Sequence, residues 1–256
     1  VSRAPQLKRN QLTVEGATAI LALAGDKVNA LDREVLEEIT AFVEYCETDS
    51  QITALVLTGD GKFFSAGLNV SEILDNDPGY ANVVLDALTT ALLRLLRCPL
   101  PTVAAVNGAA IAGGCLLPLA CDRRLIADDA RMGVTELKVG VAFPVATVEL
   151  LRHVCGPHAE DLIFGAGLVD AAEACRVGLA HEQLPLGELR LAAVAAAERL
   201  ASLDTRAYAL AKQSTRRRLL ESLEDEQARA IDRKVRDQWQ DDLTRQKLGQ
   251  LLKPKS

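Results

Sequence analysis

The sequence predicts an α/β fold: a parallel sheet with helical crossovers in the first part of the chain, and helices in the rest. Three observations carry this reading. Apolar, β-branched runs alternate with amphipathic segments through the first half, an order that joins parallel strands by helices. From about residue 145 onward the pattern is nearly all helical. Of the 256 residues, 49% are hydrophobic and 25% charged, the balance of a globular protein with a sizeable core.

Taken in order, "ATAILALAG" (17–25) and "ITALVLTGD" (52–60) read as buried strands ending in glycine turns. Between them, 31–49 places Val35, Leu36, Ile39, Phe42 and Val43 at helical spacing, with Asp32 and Glu34 suited to its start. A Gly-, Asp-, Asn- and Ser-rich loop follows over 61–79, then a long helix around 80–97. "CPLPTVAAVNGAAIAG" (98–113) returns to the strand pattern after Pro99 and Pro101 break that helix. "RRLIADD" (123–129) is a further short strand. Two helical stretches stand out later, the Ala-rich 187–203 and the charged 219–252. The recurrent Leu, Ile and Val of the second, with Trp239, need something to pack against, and another subunit would serve. A single domain is expected, with an α/β core over 1–195 and a C-terminal helical region over 196–256.

Several function classes are disfavoured. A net charge of −6 and a pI near 5.2 argue against general nucleic-acid binding. No stretch reaches the ~18–20 apolar residues of a membrane span, and "VSRAPQLKRNQLTV" lacks the apolar stretch of a signal peptide. The six cysteines form no CxxC pair and read as core thiols of a reducing compartment, hence a cytoplasmic protein, with a processed mitochondrial matrix form as the alternative. The three histidines lack ligand spacing, so no metal site is expected.

"TGDGKFFSAGLN" (58–69) approaches three motifs and satisfies none. Phe64 replaces the third glycine of a dinucleotide fingerprint, and Phe63 the Ser or Thr of a P-loop. Phe63 also replaces the first glycine of a nucleophile elbow, which makes Ser65 a turn residue. Glycine-exposed backbone is left without a phosphate cradle or an attacking hydroxyl. Such backbone has another use. If Gly113 and Gly114 open a short helix, an N–H there can meet a developing oxyanion. The loop at 65–69 can supply a second donor, and such donors contribute roughly 2.7–4 kcal/mol each where one has been removed.

Four segments in order, "DKVNALD" (26–32), "ALVLTGDGKFFSAGLNV" (54–70), "PTVAAVNGAAIAGGCLLPLACDRRLIAD" (101–128) and "MGVTELKVGV" (132–141), resemble the crotonase superfamily of enoyl-CoA hydratases and isomerases. The resemblance runs over most of the chain. It implies a spiral of ββα units with a C-terminal helical region that trimerises, in a homotrimer or hexamer. It implies an acyl-CoA thioester as substrate, no cofactor beyond that coenzyme A, and an oxyanion hole made by the N–H groups of Leu68 and Gly113. Lys27, Val28, Ala30 and Ala66 would lie along the CoA moiety, Lys27 at its nucleotide end. Lys212 and Arg216 to Arg218 would meet CoA phosphates or form a solvated helix face.

Family hydratases carry two glutamates. At the first position this chain has Leu116; the second is kept as Glu136. Asn69 stands where many members have Asp, and Pro144 where some dienoyl-CoA isomerases have an acid. A single carboxylate suits the shift of a 3-enoyl double bond to position 2, and its burial raises its pKa toward useful values. Leu116, part of the substrate-binding wall, would keep water from adding, and "AGGCLLPLACD" is closest to 3,2-enoyl-CoA isomerases. Glu72 and Asp75 are the other acids within reach if their loop folds inward. Hydration, another enolate-forming reaction, and acyl-CoA binding without turnover stay open as alternatives.

Overall fold

The computed structural model describes residues 4–252. The large sheet has six strands in the order β1-β2-β3-β5-β7-β10. β1 (Asn10–Glu15) lies antiparallel to β2 (Thr18–Leu23). From β2 the sheet runs parallel through β3 (Ala54–Gly59), β5 (Thr102–Val106), β7 (Arg123–Ala127) and β10 (Glu182–Leu184). β5 is buried along its whole length and β3 over its first four residues, which is why both read as apolar runs rather than alternating ones.

A second sheet has the order β4-β6-β8-β9. Its members are β4 (Phe63–Ser65), β6 (Ala109–Ile111), β8 (Arg131–Gly133) and β9 (Val169–Asp170). β3 is followed by β4, β5 by β6 and β7 by β8, so each turn of the chain gives one strand to the large sheet and the next to the small one. This is the ββα spiral that the resemblance implies. Strands of two or three residues carry no readable period, so β4 falls inside what reads as a loop, and β9 and β10 inside what reads as helical.

The first crossover helix, α1 (Arg33–Thr48), starts where Asp32 Oδ1 accepts the Val35 N–H at 2.8 Å. α2 (Val70–Asp75) starts on Asn69, whose Oδ1 accepts the Glu72 N–H at 3.1 Å. An amide oxygen is as good a cap as the carboxylate expected there. α3 (Tyr80–Arg97) packs against α1. α4 (Gly113–Leu119) follows β6 directly, and a 3-10 turn (Glu136–Val139) follows β8.

Helices α5 (Val145–Cys155), α6 (Ala159–Gly165) and α7 (Ala171–Arg176) precede α8 (Leu186–Ala201). α8 packs on β3, β5 and β7 and spans residues 195 and 196. The charged C-terminal stretch is three helices, α9 (Thr205–Ser222), α10 (Glu226–Gln240) and α11 (Asp242–Leu251). Aspartates at 225 and 241 cap the last two: Asp225 Oδ2 accepts the Gln227 and Ala228 N–H groups, and Asp241 Oδ1 that of Thr244.

Candidate active site

Ala66, Leu68, Gly113, Leu116 and Glu136 line one cavity of about 200 Å³. They come from the β4–α2 loop, from α4 and from the 3-10 turn. Two close approaches bring them together. Gly67 has φ +93°, and a Cβ there would lie 2.9 Å from the Ile111 carbonyl oxygen and 3.4 Å from the Gly113 nitrogen. A Cβ on Gly114 would collide with the Ser65 carbonyl oxygen and stand 2.7 Å from the Ser65 Cβ. Ser65 is fully buried; its hydroxyl donates to the Asn29 carbonyl at 2.7 Å and accepts the Gly67 N–H at 3.2 Å. It ends strand β4 rather than sitting in the turn its sequence context predicts, and its hydroxyl is tied to main chain.

The Gly113 and Leu68 main chains are neighbours: a Cβ on Gly113 would lie 3.7 Å from the Leu68 nitrogen. Among the described residues, neither N–H donates to a backbone acceptor outside the regular elements, and Gly113, first in α4, precedes any intrahelical acceptor. Ala112, just before, has φ 53° and ψ −127°, a conformation essentially reserved for glycine that costs of order 1–3 kcal/mol. Its N–H donates to the Gly133 carbonyl at 2.9 Å, which holds it there. Two unpaired donors side by side, at a helix start, suit an oxygen that carries partial negative charge.

Glu136 is the one carboxylate lining this cavity among the described residues. Its Oε2 is buried without a hydrogen-bond partner. Burial pushes its pKa up to about 7, against the backbone N–H groups of Glu136 and Thr135, which lower it. A carboxyl poised near neutrality beside an apolar space can both take and return a proton. Leu116 is buried in the same wall, and Cys115 and Leu117 beside it are core residues.

The 26–31 segment is hydrogen-bonded to the β4–α2 loop and lies outside the cavity lining. Ala66 N–H donates to the Val28 carbonyl at 2.9 Å and Leu31 N–H to that of Gly67 at 2.8 Å. Asp26 Oδ1 accepts the N–H groups of Val28 and Ala30 at 2.9 and 3.0 Å. Lys27 is exposed in this segment, whereas Asn29, Ala30 and Leu31 are buried.

Other candidates are placed elsewhere. Glu72 and Asp75 belong to α2, outside the cavity lining. Glu72 Oε1 accepts the Tyr80 hydroxyl at 2.6 Å, and Asp75 is exposed. Lys212 and Arg216 are not a solvated helix face; both are buried against Asp122, at 2.7 and 2.6 Å. Tyr208 donates to the same carboxylate at 2.9 Å, Lys212 also to the Leu100 carbonyl and Arg216 to those of Leu96 and Ala120. This network locks α9 onto the core. Arg217 and Arg218 are exposed, and Arg217 pairs with Glu221 at 2.8 Å.

Three lining residues lie far down the chain and were not legible: Trp239 of α10, and Leu248 and Leu251 of α11. Trp239, for which another subunit was the expected partner, packs within its own chain; its Nε1 donates to the Ala142 carbonyl at 3.3 Å. The available signal was the apolar recurrence within 219–252.

The sequence profile described as enoyl-CoA hydratase/isomerase matches residues 15–251. The chain belongs to this family. Enoyl-CoA hydratase/isomerase relatives carry both names. A putative enoyl-CoA hydratase of Thermus thermophilus is 36% identical over 181 residues, 69% of this chain and 71% of that one. The mitochondrial enoyl-CoA delta isomerase 1 of Homo sapiens is 31% identical over 203 residues, 78% of this chain and 67% of that one. The crystal structure of human mitochondrial delta3-delta2-enoyl-CoA isomerase superposes with a TM-score of 0.89 at 27% identity, covering 96% of this chain and 97% of that one. Among the described residues, no helix is long and apolar enough to cross a membrane.

Proposed function

We propose that this member of the family is an enoyl-CoA isomerase that moves a 3-enoyl double bond to position 2. The thioester oxygen accepts hydrogen bonds from the Leu68 and Gly113 N–H groups, which acidifies C2. The Glu136 carboxylate removes one proton from C2. The electron pair spreads over the dienolate, and the protonated Glu136 returns the proton to C4, leaving the double bond between C2 and C3. No water is consumed and no second acid is used. Lys27, Val28, Ala30 and Ala66 flank the coenzyme A moiety.

The observation that carries the reading is the solitary, desolvated Glu136 in a cavity where Leu116 stands at the position of the first hydratase glutamate. The test is the absorbance of the conjugated enoyl thioester. It should rise on adding 3-hexenoyl-CoA and change little with 2-hexenoyl-CoA; loss of absorbance from the 2-enoyl substrate, without a rise from the other, would establish hydration instead. Hydration is the second reading, favoured by the hydratase names of the Bacillus subtilis and Thermus thermophilus relatives.

Assembly as a homotrimer or hexamer belongs to this reading, and a mass measurement in solution decides it. Six free cysteines, five of them buried, support a reducing compartment such as the cytoplasm, and a thiol count on protein from native cells checks it.

A further inference from the structure

One wall of the acyl cavity is a strap made of α10 and α11. Its polar side chains fasten it to the rest of the pocket. Gln238 Oε1 accepts the Ala142 N–H at 2.9 Å and Asp232 Oδ1 that of Val145 at 2.9 Å. Arg245 donates to the carbonyls of Ile73, Leu74 and Asn76 at 3.0–3.2 Å, and Arg236 pairs with Asp86 at 2.7 Å. Its apolar side chains Trp239, Leu248 and Leu251 line the cavity. The strap is thus tied to the 140–145 segment, to α2 and to α3, and its inward side chains set the space left for an acyl tail.

That space is small and uncharged apart from Glu136. At about 200 Å³ it is smaller than the ~300–1,000 Å³ of ordinary small-molecule pockets. No lysine, arginine or histidine lines it, so a carboxylate on the tail would meet no cation and would be repelled by Glu136.

We infer that the site selects neutral, short- to medium-chain acyl thioesters, and that Trp239 and Leu251 of the C-terminal strap set the upper limit of chain length. The inference rests on the acyl-CoA reading of the site, and saturated thioesters, which do not isomerise, test it apart from the reaction. Calorimetric titration would use the series from butyryl- to palmitoyl-CoA, with adipoyl-CoA against hexanoyl-CoA.

In the wild type, Kd should fall about fourfold per added methylene and level off before the sixteen carbons of palmitoyl-CoA, and adipoyl-CoA should bind at least tenfold more weakly than hexanoyl-CoA. Trp239→Ala should move the plateau at least two carbons further. Leu251→Ala should do the same, and since Leu251 is 51% exposed its truncation spares the fold. A wild-type Kd that keeps falling to sixteen carbons would overturn the inference, as would a plateau unchanged in Leu251→Ala. Equal binding of adipoyl- and hexanoyl-CoA would remove the charge selection. Tail selection without any isomerisation would leave the inference standing and the proposed reaction refuted.

Discussion

Glu136 sits on a conflict between charge and solvent. Its folded pKa of about 7 lies above the ordinary 4.5, with burial as the cause. Between these values the folded state holds more protons than the unfolded one, so its contribution to stability falls as pH rises through that window. Below pH 4.5 both states are protonated and the group contributes nothing. Glu136→Gln should therefore gain stability over the wild type as pH rises from 4.5 to 7, reaching on the order of 3 kcal/mol above pH 7. Denaturant unfolding at pH 4.5 and pH 8 measures this, and a gap independent of pH would show that the carboxylate is not desolvated. Glu136, Leu68, Gly113 and Leu116 were readable because a few contiguous residues carry each of them. Lys212 and Arg216 were misread, because the partner that buries them, Asp122, lies about 90 residues earlier in the sequence.

Among the elements, α4 depends on its second residue. Gly114 packs against Ser65 so closely that no Cβ fits, and both neighbours are main chain or fully buried. Gly114→Ala should destabilise the protein by about 1–3 kcal/mol and lower turnover, because relief of the clash displaces the β4–α2 loop that carries Leu68. Thermal unfolding and initial rates check both. Unchanged stability together with unchanged rate would mean that the two segments move independently. The long elements were legible since α1, α3 and α8 each present an apolar stripe. The small sheet was not. Its strands of two or three residues are held by pairing with other turns of the spiral, as β4 is by β6 and β8 by β9, and local pattern does not record such pairing.

Across the whole molecule, the candidate site is assembled from residues 66 to 251, with the C-terminal strap folded back over a cavity whose unpaired N–H groups come from the first half. The charged residues of α10 and α11 hid this role, since their apolar side chains alone face the cavity while their arginines and aspartates fasten the outside. In the proposed isomerisation one carboxylate, poised near neutrality, performs both proton transfers. The rate of 3-hexenoyl-CoA isomerisation, followed over pH 5 to 9 in the wild type and in Glu136→Gln, tests it most directly. The wild-type rate should rise with pH through about 7 as Glu136 ionises. Glu136→Gln should lose at least about a hundredfold in kcat while binding hexanoyl-CoA within a few-fold of the wild type. A Gln variant that keeps more than a tenth of the wild-type kcat would contradict the claim.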